Sequence, residues 1–306
     1  MRRRRTPMFL TGVIATVVVL LVAASSAELT EGLGNLPPRT VTLLSSGPDA
    51  APEAPPAPAP REPANLDVLA QQATAKAQRN GADISIAVLD RQTGQLVTKG
   101  DGSAFPIASV AKLFIADDLL LRVAEGKATL TREDRRSLDT MLRASDDFAA
   151  NQFWDRGGRN AVIARITARY GLRNTSAPWD GNWWTTMSST TDLVRYYRKL
   201  LDGSGGLPAE QAGVIMADLA ASAPVGIDGY PQRFGIPDGL YAEPVAVKQG
   251  WMCCWDGPNQ VHMSTGVAGA DRRYVIAVAS MQPVDEATAR NTLTDAVKTM
   301  FPGGRT

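Results

Sequence analysis

A chain of 306 residues, 44% apolar and 21% charged, has ordinary globular composition and room for one large domain or two modest ones. Its formal net charge of +1, with no basic stripe in the body of the chain, argues against a nucleic-acid partner. The two cysteines are neighbours, Cys253 and Cys254, and the single histidine is His262; these do not supply the spaced ligands of a metal site, and no metal or cofactor is expected.

The first 27 residues read as a targeting segment. Arg2 to Arg5 form a basic run, Met8 to Ala24 an apolar stretch, and Ala24 to Ala27 a small-residue end, which is the layout of a secretory signal peptide. The apolar run falls slightly short of the ~20 residues that span a bilayer, which favours cleavage over an uncleaved membrane anchor through residues 8–24. No cysteine follows the run, which argues against a lipid-modified N-terminus. On either reading the working domain is exported, to the cell envelope or the medium. Residues 28–64 are expected to form a disordered linker, because their Pro/Ala-rich text cannot build a packed core.

The folded domain is expected over residues 65–303. It opens with a helix in "NLDVLAQQATAKAQRNG", where apolar residues recur at helical spacing and Gly81 ends the pattern. The alternating "DISIAVLDRQTGQLVTKGDG" is split by "RQTGQ" and reads as a hairpin. A mostly helical subdomain follows over about 115–222, interrupted by the loop "NTSAPWDGNWWTTMSS". Three strands return in "EPVAVKQGWMCCW", "QVHMSTGVAG" and "RRYVIAVAS", separated by "DGPN" and "GAD" turns, and "EATARNTLTDAVKTM" closes the chain as a helix. That order predicts an α+β sandwich: an antiparallel five-stranded sheet flanked by the N- and C-terminal helices, with an all-helical subdomain beside it.

Three short motifs carry the chemistry: "SVAK" with Ser109 and Lys112, "SDD" with Ser145 and Asp147, and "KQG" with Lys248, Gln249 and Gly250. Residues three apart on a helix share a face, so Ser109 and Lys112 can touch. A helix start and burial both disfavour a protonated amine, which would let Lys112 take the Ser109 proton. The three motifs in this order resemble the serine β-lactamase/penicillin-binding protein (DD-peptidase) superfamily, closest to class A β-lactamase-like proteins, whose signature is S-x-x-K, S-D-N and K-T-G. The likeness runs from Asn65 to about Met300. It implies the β-lactamase/transpeptidase-like fold, Ser109 as nucleophile, Lys112 as base, Ser145 passing a proton to the leaving group with help from Lys248, and an oxyanion hole made by the backbone N–H groups of Ser109 and Trp251. It also implies that Asp147, Gln249 and Gly250 line the substrate site, that the substrate is a β-lactam or a peptidoglycan stem peptide, and that the protein acts as a monomer.

The chain departs from that pattern in three places. Asp147 stands where the family has an amide; an ionised carboxylate cannot donate a hydrogen bond, and near Lys112 it would hold the lysine protonated. Gln249 replaces a small hydroxyl residue that helps bind the substrate carboxylate, and is expected to crowd the groove. The loop from Gly171 to Thr190 lacks the glutamate that activates the deacylating water in class A enzymes; its only carboxylate is Asp180. These departures predict an acyl-enzyme that forms faster than it hydrolyses, and they keep open a binding protein that has lost turnover, or an esterase using the same centre. His262 reads as a packed residue rather than a base. Trp179, Trp183 and Trp184 either wall a substrate groove or pack their loop, and Cys253–Cys254 is either a vicinal disulfide at the site rim or a pair of thiols.

Overall fold

Nearly every residue of the strand "DISIAVLD" is buried, on both of its faces. An antiparallel strand with one wet face would alternate; one covered on both sides reads as a continuous apolar run. The computed structural model, which describes residues 65–306, shows what covers each face. The signal peptide or anchor and the linker expected over residues 1–64 lie outside the described residues.

In chain order the elements are α1 (Leu66–Arg79), β1 (Asp83–Asp90), β2 (Leu96–Lys99), the short β3 (Phe105–Pro106), and a 3₁₀ turn (Ala108–Val110) leading into α2 (Ala111–Ala124). Then come α3 (Arg132–Arg143), α4 (Asp147–Gly157), α5 (Asn160–Tyr170), the short β4 (Thr175–Ser176) and β5 (Met187–Ser188), α6 (Thr190–Asp202) and α7 (Ala209–Ala220). The chain closes with α8 (Ile236–Gly239), β6 (Val245–Trp255), β7 (Asn259–Ala268), β8 (Tyr274–Gln282) and α9 (Glu286–Met300). The main sheet is five-stranded in the order β2-β1-β8-β7-β6, antiparallel throughout. The fold is α+β, as the sequence predicts.

Alternate residues of β1 feed two cores. Ile84, Ile86 and Val88 pack with Ala70, Ala73 and Ala77 of α1 and with Leu293 and Val297 of α9, while Ala87 and Leu89 join the core of the helical block. At the centre of that block lies α2, buried from Ala111 to Leu120 and therefore apolar nearly all round. Its interior acid, Asp117, accepts hydrogen bonds from Arg169 and Tyr170 of α5 and from Tyr196 of α6. Buried charges persist only when they are paired and hydrogen-bonded, so this network fixes α2 against two helices at once. Two details differ from the periodicity of the sequence. The Ser109 segment enters α2 through a 3₁₀ turn rather than an α-helical one, and "DRRSLDTMLRASDDFAANQFW" is broken into α3 and α4 around Ser145.

His262 on β7 is fully buried behind the sheet edge. Arg290 donates to the Tyr230 hydroxyl at 2.9 Å, so that hydroxyl spends its own proton on His262 Nε2, 2.6 Å away. Burial, with the Arg290 charge acting in the same sense, pushes the His262 pKa down to about 3. An unfolded histidine takes its proton near pH 6.5, whereas the folded one stays neutral down to about 3. The unfolded state therefore binds the extra proton between those values, and stability is lost as pH falls through that window, by about 3 kcal/mol from pH 7 to pH 4. Urea unfolding at pH 7, 5 and 4 should show a steeper acid loss for the wild type than for His262→Gln. Parallel losses would mean that this imidazole titrates as freely in the folded protein as in the unfolded chain.

Candidate active site

Ser109 sits in the 3₁₀ turn that opens α2, held from outside by the hydrogen bond of the Ile107 N–H to the Thr186 carbonyl at 2.8 Å. One turn further, Lys112 is completely buried, and its Nζ lies 2.8 Å from Ser109 Oγ. The same nitrogen reaches the Ser145 carbonyl at 2.7 Å, Ser145 Oγ at 3.2 Å and Asp147 Oδ1 at 2.5 Å. Four oxygens exceed the three protons of an ammonium, so the charged lysine cannot serve them all. A neutral amine would serve two and receive the Ser109 proton on its lone pair.

Ser145 occupies the break between α3 and α4 with φ 61°, a left-handed conformation rare outside glycine, and Ala108 beside Ser109 has φ 44°. Strained backbone of this kind, worth on the order of 1–3 kcal/mol per residue, gathers where a site needs an atom aimed against local preference. Asp146 caps α4, accepting from the N–H groups of Phe148 and Ala149, which turns Ser145 back toward α2. From the sheet side Lys248 Nζ meets Ser145 Oγ at 2.8 Å, with its side chain buried. The structure thus brings Ser109, Lys112, Ser145 and Lys248 into one chain of contacts.

Gln249, expected in the groove, is placed elsewhere. Side chains alternate along a strand, and with Lys248 turned to Ser145, Gln249 points through the other face, where its Nε2 donates to the carbonyls of Phe234 at 2.5 Å and Gln232 at 3.1 Å. It neither crowds the cleft nor offers it a hydrogen bond. Gly250 serves as backbone: a Cβ there would stand 2.6 Å from the Ile107 carbonyl, so only glycine lets β6 approach the Ser109 turn this closely. Because β6 is the edge of the sheet, its outer side is free to face that turn.

The electrostatics separate the two amines. Burial holds the Lys112 pKa below the ordinary lysine range, against the upward pull of Asp147. Lys248 is pushed well below that range by burial and then by the neighbouring Lys112 charge, with Asp147 and Asp228 opposing. Asp147 is 69% exposed, so water screens its hold on Lys112. The Trp183 ring supports the same ammonium from 4.7 Å.

Above Ser109 opens a cleft of about 300 Å³ walled by Asp147, Trp183, Trp184, Trp251 and Asp228. Trp183 does both jobs the sequence left open: it is buried, anchored through Nε1 to Asn151 at 2.8 Å, and it faces the cleft. Trp184 is part-exposed on the wall, and Trp179 is 83% exposed and lies outside the lining. Asp180 is also outside the lining; its carboxylate accepts from Thr185 Oγ1 at 2.5 Å and from the backbone and side chain of Asn182. Against partial desolvation, those bonds hold its pKa below the usual carboxylate value, so it is a committed acceptor and a poor base. Cys253 and Cys254 are joined as a disulfide just beyond Met252. Asp228 is the wall residue that sequence reading missed. It lies in "VGIDGY", a loop whose glycine–aspartate text signals only a turn.

A serine hydrogen-bonded to a buried lysine, a second serine shared by two lysines, and a sheet edge beside them form the arrangement expected of a serine β-lactamase/penicillin-binding protein fold. Solved structures agree. The chain is similar to PBP-A (TM-score 0.64, 20% identity, covering 76% of this chain and 94% of that one). It is also similar to a β-lactamase from Chitinophaga pinensis DSM 2588 (TM-score 0.62, 16% identity, 77% and 98%). A mutant of PBP-A seen as an acyl-enzyme complex with penicillin G aligns equally well (TM-score 0.64, 18% identity, 76% and 94%). The family described as "Beta-lactamase enzyme family" matches residues 68–136, the segment that contains Ser109 and Lys112. Over 240 residues the chain is 62% identical to a protein of Mycobacterium tuberculosis (strain ATCC 25618 / H37Rv) that carries the provisional name lipoprotein LppW, covering 78% of this chain and 76% of that one. The chain belongs to one family with that mycobacterial protein, and it shares its fold with the serine β-lactamases and PBP-A.

Removing the charge of Asp147 should lower the Lys112 pKa further and enlarge the neutral fraction. Asp147→Asn is therefore expected to speed modification of Ser109 by an activated ester about tenfold at neutral pH and to move the rising limb of its pH profile toward acid. A slower variant with an unmoved profile would show that the carboxylate does not govern this amine.

Proposed function

We propose that this chain is an exported serine acyl-transfer protein that forms an acyl-enzyme at Ser109 with strained or activated carbonyl compounds, β-lactams and peptidoglycan stem-peptide amides among them, and releases the acyl group slowly. The observation that carries this reading is the 2.8 Å contact between Lys112 Nζ and Ser109 Oγ in a site where burial lowers the lysine pKa. Neutral Lys112 takes the hydroxyl proton as Ser109 Oγ bonds to the carbonyl carbon. The oxyanion is received by the backbone N–H groups of Ser109 and Trp251, in keeping with the facing of β6 and the Ser109 turn across the cleft. Ser145 hands its proton to the leaving atom as the acyl–leaving group bond breaks, and Lys112 or Lys248 restores it. The acyl-enzyme complex of the similar PBP-A mutant supports the first half of this cycle.

Among the described residues, the second half lacks a free carboxylate base. Asp180 is bound to its own loop, and Asp147 is bound to Lys112, so neither is free to activate a deacylating water. Export is supported by the basic and apolar start of the chain and by the name lipoprotein borne by its mycobacterial relative. All the groups of the centre come from one chain, which suits action as a monomer. A second reading, a binding protein of the cell wall without turnover, is favoured by one contact, the Asp147–Lys112 ion pair at 2.5 Å.

Intact-mass measurement after incubation with a fluorescent penicillin and with a p-nitrophenyl ester separates the two. One acyl group per chain, absent from Ser109→Ala and persisting after free ligand is removed, is the expected result. No adduct from either reagent leaves the binding reading in possession.

A further inference from the structure

Among the described residues, the surface of this cleft presents no positive group that could hold a substrate carboxylate. The two lysines lie buried beneath it, with their Nζ atoms turned to Ser109, Ser145 and Asp147. Gln249 faces away. On the neighbouring strand Thr265 is buried, its hydroxyl donating to the Lys248 carbonyl at 2.9 Å, so it offers a ligand nothing. Behind Trp251, Arg290 is tied to the Tyr230 hydroxyl and packed on the Tyr230 ring at 5.0 Å. Tyr230 in turn stacks on Trp251, with ring centroids 4.6 Å apart, so the aromatic pair stands between that guanidinium and the cleft. Among the described residues, no arginine, lysine or histidine side chain lines the cleft.

What the cleft does present is negative charge and aromatic faces. Asp147 and Asp228 come from separate segments, α4 and the loop before α8, and both are exposed. Asp147 is matched by Lys112; Asp228 is held by its own loop, accepting from the Tyr230 N–H at 3.0 Å, and has no cation as partner among the described residues. Trp183, Trp184 and Trp251 supply the remaining wall. Carboxylates repel an anionic ligand, and indole faces attract a cation but give nothing to an anion.

We propose that the acyl donor taken by this centre carries an ammonium group in place of the carboxylate that a β-lactam presents, as an amide or ester of a basic residue would. The proposal rests on the acyl-transfer reading for the bond that reacts, and on the walls of the cleft alone for the charge it prefers. With a nitrophenyl ester the step balances simply: the Ser109 Oγ–acyl bond forms, the ester C–O bond breaks, and nitrophenol leaves with the proton.

Three p-nitrophenyl esters of matched length test the charge: 4-(trimethylammonio)butanoyl, its neutral isostere 5,5-dimethylhexanoyl, and the anionic glutaryl. The quaternary ester should exceed the neutral one about tenfold in kcat/KM at low salt, with the glutaryl ester slowest, and 0.5 M salt should compress the series to within about threefold. Asp228→Asn should reduce the cation-to-neutral ratio. The corresponding amides, titrated against Ser109→Ala by the fluorescence of the cleft tryptophans, measure the same preference without any reaction. A cation advantage in binding with no ester turnover and no adduct would uphold the charge preference of the cleft and refute acyl transfer, and with it the donor. Turnover or adducts with the neutral or anionic member preferred in both assays would refute this inference and leave acyl transfer standing.

Discussion

The burial of two amines within reach of one hydroxyl governs the design of this protein. An isolated ammonium taken from water costs several kcal/mol, and here Lys112 and Lys248 converge on Ser145 Oγ from opposite elements. The fold meets that cost in two ways. It gives Lys112 four oxygens and leaves Lys248 with little beyond Ser145, so that the two amines are unequally served. Asymmetry of this kind sets two like groups at different protonation in one pocket, which is how acid and base roles are divided at a single pH.

Everything around the pair resists its relaxation. The network on Asp117 locks α2 to α5 and α6, so the turn bearing Ser109 cannot tilt away from Lys112. Gly250 admits β6 to contact with that turn, which brings Lys248 near enough to share Ser145. On the far side, Tyr230 stacks on Trp251 and is itself fixed by hydrogen bonds of its hydroxyl with Arg290 and His262, so the residue after the K-x-G triplet rests on an anchored ring. The left-handed backbone at Ala108 and Ser145 is the local expense of aiming two hydroxyls at one nitrogen, sustained by packing elsewhere.

Much of this was legible in the sequence because it follows from spacing. An i, i+3 serine and lysine at a helix start, strand-like alternation with turn residues between, and three motifs in order fix elements and the nearness of Ser109, Ser145 and the lysines. What was not legible depends on which side of the backbone a residue faces. The family pattern places Gln249 in the groove as the counterpart of a substrate-binding hydroxyl, yet with Lys248 turned to Ser145 its neighbour on an unbulged stretch of strand faces the other side. The bulge of β6 falls later, between Met252 and Trp255, where the Cys253–Cys254 disulfide sits. Asp228 escaped notice because a turn aspartate has no periodicity to betray it, and its meaning comes only from the tryptophan it stands beside.

The three departures from the family pattern, read as separate defects, suggest a decayed enzyme; their geometry suggests a change of clientele. Decay would scatter losses across hydroxyls, amines and scaffold, but Ser109, Lys112, Ser145 and Lys248 remain linked in one chain of contacts. The altered positions instead bear on how the cleft handles charge: a carboxylate at Asp147 where the family pattern has an amide donor, Gln249 buried on the opposite face of the sheet where the pattern has a hydroxyl, and a loop whose only acid, Asp180, is self-bound. A site that exchanges donors for acceptors while keeping its reactive centre has altered what it can hold before altering what it can do. On that argument the ion pair between Asp147 and Lys112 is a resting state: an arriving cation would compete for the carboxylate, and release of the lysine from it would favour the neutral amine at the moment a substrate is in place.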